Sequence, residues 1–73
     1  MNIEVIKQII EVLDDLTLDL ISEAEAQHYA GELLEFEAHH SKEALWCLEL
    51  AESRSFDRLR KQLTGALTRA YEG

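Results

Sequence analysis

Residues 23–40, EAEAQHYAGELLEFEAHH, contain Glu-x-x-His twice, as Glu25 with His28 and as Glu37 with His40. On a helix, side chains three apart converge on one side, so each pair can offer a carboxylate oxygen and an imidazole nitrogen to one iron or zinc ion. Di-iron carboxylate bundles place such a motif on each of two helices and add further Glu ligands from two others. Here both pairs lie on one stretch, about 18 Å apart along a helix axis, so one chain cannot bring them to a single centre. His28 falls on the polar side and His40 beside the apolar stripe, where it is expected to bond Glu37 or a backbone carbonyl. A solvated acidic face therefore accounts for Glu25 and His28 more simply than a metal does, and no cofactor is expected.

Other chemistry is sparse. The chain has no glycine-rich phosphate loop and no Ser-His or Cys-His pattern, so it is not expected to be an enzyme. Its one cysteine, Cys47, lies within ALWCLELA. It reads as a small buried hydrophobe in a reducing cytoplasm, with no basic neighbours to activate a thiolate. No run approaches the roughly 20 apolar residues of a membrane span, and no signal-peptide pattern opens the chain.

The elements that carry these residues follow from apolar spacing. Seventy-three residues, none of them proline, make a single acidic domain, 1–73. From Ile3, the residues Val5, Ile6, Ile9, Ile10, Val12, Leu13, Leu16 and Leu20 share one half of a helical wheel, with only Leu18 out of place. That predicts a helix over 2–20. Its apolar arc of roughly 180° exceeds the ~100° that one core requires, so a second neighbour is expected. Ser22 and Glu25 form a capping-box pattern that opens a helix over 23–40. On it, Ala26, Tyr29, Ala30, Leu33, Phe36 and His40 are assigned to the apolar face. Ser41 caps a third helix over 42–52, and a fourth stripe, Phe56, Leu59, Leu63, Ala66, Leu67 and Ala70, fills 55–71. The last two are either separate or one continuous helix, with Ser53 or Ser55 at the break. Short connections favour antiparallel neighbours, so the expected fold is an all-α antiparallel bundle of three to four helices.

Charge is unevenly divided. Residues 1–52 hold thirteen Asp and Glu against two Lys, a balance of −11, while residues 53–73 carry +3, from five Arg and Lys against two acids. An acidic body repels phosphates and attracts basic surfaces, so direct nucleic acid binding is not expected and a basic protein partner is. Asp14, Asp15, Asp19, Glu25, Glu32 and Glu35 are the candidate acidic face. Trp46 with Leu50 is the candidate apolar anchor, for that partner or for a homodimer that would also use the wide face of the first helix. Arg54, Arg58, Lys61 and Arg69 form a basic stripe, and Asp57 and Lys61 are spaced as a helical ion pair. In size, charge and fold class the chain resembles acidic immunity proteins, antitoxins and phage-encoded inhibitors of nucleases or defence complexes. The resemblance implies an inhibitor that neutralises a basic partner, with nucleic-acid mimicry as one way to do so. Two other classes remain open: a dimeric helical adaptor, and a metal-binding bundle using Glu25, His28, Glu37 and His40.

Overall fold

The computed structural model describes residues 1–72. They form four α-helices: α1 (Ile3–Thr17), α2 (Glu23–Ala38), α3 (Lys42–Glu52) and α4 (Phe56–Glu72). The starts of α1, α2 and α3 are explained by side-chain caps. The Asn2 side chain accepts the Glu4 amide at 2.7 Å, and Ser41 Oγ accepts that of Ala44 at 3.2 Å. Ser22 and Glu25 complete the reciprocal box at 3.1 and 3.0 Å.

Two helices end in the same way. After α1, Asp19 takes a positive φ of 59°; its amide donates to the Leu16 carbonyl and that of Leu20 to the Asp15 carbonyl. After α3, Arg54 takes φ 57°, with the Arg54 amide on the Ala51 carbonyl and the Ser55 amide on that of Leu50. Both are Schellman stops, with a side chain where glycine is usual. The first ends α1 three residues before the 20 expected from apolar spacing and leaves Leu18 and Leu20 exposed. The second separates α3 from α4, settling the continuity left open by the sequence.

The helices form a ring in which α1 touches α2 and α4, and α3 touches α2 and α4, with no diagonal contact among the described residues. Polar contacts fix the directions. The Arg60 guanidinium meets Asp14 at 2.7 Å, so the start of α4 lies beside the end of α1. Gln27 Nε2 donates to the Glu52 carbonyl at 2.6 Å, and Arg69 meets Glu43 at 2.6 Å. All neighbours are therefore antiparallel. No helix of the described residues is long and apolar enough to cross a membrane.

Among the described residues, Ile6, Ile9, Leu34, Cys47, Leu59 and Leu63 are the largest fully buried side chains inside the ring, and no polar or charged residue is buried. The wide arc of α1 is accounted for within the chain. Ile6, Ile9 and Leu13 face the centre, Val12 flanks α2 and Leu16 flanks α4. The second neighbour is α4, and a homodimer is not needed to cover this face. Between α2 and α3 the buried residues are small: Ala26, Ala30, Ala44, Cys47 and Ala51. Gly31 is helical, and a Cβ built on it would meet nothing within 4 Å. Gly31→Ala is therefore expected to stabilise the fold by about 0.5–1 kcal/mol, read as a rise in the denaturation midpoint.

Candidate functional site

The two Glu-x-x-His pairs do not assemble a ligand set. One Glu25 oxygen accepts the Ser22 amide in the capping box. His28 Nε2 lies 3.1 Å from Glu32, one turn in the opposite direction from Glu25. His40 is exposed, so the core-edge position expected for it is corrected; its ring stands edge-on to Phe36, with centroids 5.5 Å apart. Among the described residues no three His, Cys, Asp or Glu side chains come together as metal ligands.

The same helix does build a surface. Its buried line is Ala26, Ala30 and Leu34, while Tyr29 and Phe36, assigned to the core from spacing, are 43% and 69% exposed. The cause is the close α2–α3 packing, which admits alanines and turns the larger rings outward. Consequently Glu25, Tyr29, Glu32 and Phe36, at i, i+4, i+7 and i+11, form an exposed line within about 60° of the helical wheel and about 16 Å long. Beside it, between α1 and α2, runs a cleft of about 550 Å³ lined by Gln8, Glu11, Val12, Asp15, Tyr29, Glu32 and Leu33. Its carboxylates, Glu11, Asp15 and Glu32, share the lining with no basic side chain. Val12 and Leu33 give it an apolar floor.

The six acidic candidates are thereby divided. Asp15, Glu25 and Glu32 belong to this face. Glu35 lies around α2, in a groove with Glu32, Glu52 and His28 against α3. Asp14 is held by Arg60, and Asp19 sits in the α1–α2 turn. Sequence reasoning missed Glu11, Tyr29 and Phe36. The only signal for the two rings was the run of alanines at 26 and 30, which marks a line too crowded for an aromatic.

The basic stripe also divides. Arg54 Nε donates to Gln27 Oε1 at 3.1 Å and approaches Glu23 at 3.9 Å, while Glu43 accepts from both Arg69 and Gln62. Arg58 and Lys61, by contrast, line a groove between α3 and α4 with Trp46 and Gln62, about 340 Å³ in volume. Among the described residues neither has an ion-pair partner, so the expected Asp57–Lys61 pair does not form. Trp46 is 50% exposed there. Leu50, paired with it in the sequence reading, is 7% exposed and belongs to the core, because α3 packs between two neighbours and buries a wider arc. In a ring of four helices the α3–α4 groove lies opposite the α1–α2 cleft, giving the molecule one basic and one acidic side.

Cys47 belongs to neither. It is fully buried, and loss of hydration, with Glu43 adding to it, pushes the thiol up to about 11, which keeps it protonated and inert at neutral pH. Comparison with known protein families, with curated proteins and with solved structures finds no significant match, so the reading of function rests on these faces.

Proposed function

We propose that the chain is a protein-binding module whose α1–α2 face docks a basic partner protein and blocks the surface it covers. The observation that carries this reading is the pair of exposed rings, Tyr29 and Phe36, alternating with Glu25 and Glu32 along α2 beside a cleft whose charged lining is carboxylate alone. Carboxylates alone would steer a cationic protein and hold it weakly, because exposed ion pairs contribute only about 0–1 kcal/mol each. Aromatic side chains add contact area that stays rigid on binding, and a guanidinium can stack on a ring while hydrogen-bonding the adjacent Glu. The alternation of acid and ring along about 16 Å suits an arginine-bearing helix or hairpin of the partner. This is the action of an inhibitor or neutraliser, and it requires no cofactor.

Isothermal titration against a helical arginine- and leucine-bearing peptide of about four turns tests the reading. Binding is expected to weaken at least tenfold between about 0.05 and 0.5 M salt. Tyr29→Ala and Phe36→Ala are each expected to cost about tenfold or more, with helix content by circular dichroism unchanged. A dissociation constant indifferent to salt and to both substitutions would remove this function.

A further inference from the structure

We infer that copies of this chain associate head to tail, the Trp46–Arg58–Lys61 groove of one copy seating on the acidic α1–α2 cleft of the next. The inference rests on the reading of that cleft as a docking surface for cations. Its own support is the opposite face. Arg54, Arg60 and Arg69 each meet a carboxylate within the chain, while Arg58 and Lys61 meet none among the described residues. Across the molecule, among the described residues, Glu11 and Asp15 have no cation partner and Glu32 has only His28. The chain therefore presents two unpaired cations on one side and three carboxylates on the other. Apolar surface matches as well: a half-exposed Trp46 stands beside the cations, and Val12, Leu33 and the Tyr29 ring line the cleft.

Charge also decides the symmetry. A two-fold contact through the Trp46 groove would set Arg58 and Lys61 against their own copies, and one through the cleft would oppose six carboxylates. The contact that pairs unlike charges joins different faces, and a heterologous contact between opposite sides of a molecule leaves both ends open. A short chain of subunits is therefore expected in place of the homodimer that the sequence pointed to. The net charge of −8 sets its salt dependence. At very low salt the bodies repel over a long range; near 0.1 M that repulsion is screened beyond about 10 Å while touching pairs survive, and towards 1 M the contact itself weakens. A basic partner and a second copy would compete for one cleft, so binding of the partner would disassemble the chain of subunits.

Sedimentation velocity over a concentration series, at about 0.02, 0.1 and 1 M salt, tests this with the whole chain. The wild type is expected to grow past the dimer mass with concentration near 0.1 M, with the emission of Trp46, the sole tryptophan, shifting to the blue. Arg58→Gln with Lys61→Gln removes one face and Glu11→Gln with Glu32→Gln the other. All four positions are exposed, so both variants should fold and stay monomeric. Mixed in equal amounts, they should form a dimer and nothing larger, since each retains the face the other lacks. A wild type that stays monomeric up to millimolar concentration overturns the inference, as does a closed dimer that both variants still form. If the chain stays monomeric but binds the arginine peptide, the self-association fails and the docking function stands. If the variants complement each other while the peptide is ignored, the cleft serves only its own chain.

Discussion

Leu34→Ala is expected to unfold a large fraction of the molecules at room temperature, while Phe36→Ala, two residues further along the same helix, leaves the denaturation curve in place. Leu34 is fully buried, in the cluster that joins Ile6, Ile9, Cys47, Leu59 and Leu63. Removing a leucine from such a site costs about 2–5 kcal/mol, the lost transfer energy plus the cavity left behind. A core of this size seldom supplies more than about 3–5 kcal/mol net, so one truncation consumes most of it. Phe36 is 69% exposed and its ring meets the edge of His40 at the surface, so its loss should stay within about 0.5 kcal/mol. Urea titrations followed by circular dichroism decide the matter. Equal losses for the two variants, or a larger one for Phe36→Ala, would mean that α2 is rotated from the orientation described.

That comparison marks where sequence reasoning worked and where it slipped. The bundle, its antiparallel neighbours, the capping box at Ser22 and Glu25, and the bounds of α3 were readable from spacing and caps, because those signals are local. On α2 the reading grouped Tyr29, Phe36 and His40 with Ala26, Ala30 and Leu33, which centred the apolar face near Leu33. The true centre lies about 60° away, on Ala26, Ala30 and Leu34, because a close helix pair selects for smallness before hydrophobicity. Leu20 was placed on α1 because nothing in the spacing announces that Asp19 will take a positive φ. Leu50 was assigned to the surface because its angular position, between Trp46 and Cys47, is decided by how many neighbours α3 has. Apart from Glu11, the individual charges of both candidate faces were visible as well. Their pairing into an acidic cleft and an opposed basic groove was not, since Glu11 and Glu32, or Trp46 and Arg58, meet only once the ring closes.

If close packing is what orients α2, then Ala30→Leu, an increase in hydrophobicity, should damage the protein. Ala26 and Ala30 on α2 and Ala44, Cys47 and Ala51 on α3 are all fully buried, in the most extensive of the four helix contacts. Three added carbons have no space to enter, so the two helices must separate or the new side chain must leave its preferred rotamer. Either route costs about 1–3 kcal/mol. The effect should not stay local. In a closed ring, moving α2 from α3 strains the Gln27–Glu52 bond and shifts Tyr29 and Glu32 relative to Glu11 and Asp15 across the cleft. Binding of the arginine peptide should therefore fall in Ala30→Leu even though Ala30 cannot touch it. Ala24→Leu supplies the control: the same change on the same helix, at an exposed position, should alter stability by less than about 0.5 kcal/mol and leave binding intact. If Ala30→Leu matches the wild type in both midpoint and affinity, the α2–α3 interface has room to spare. Tyr29 and Phe36 would then have to stand outside for some reason other than crowding.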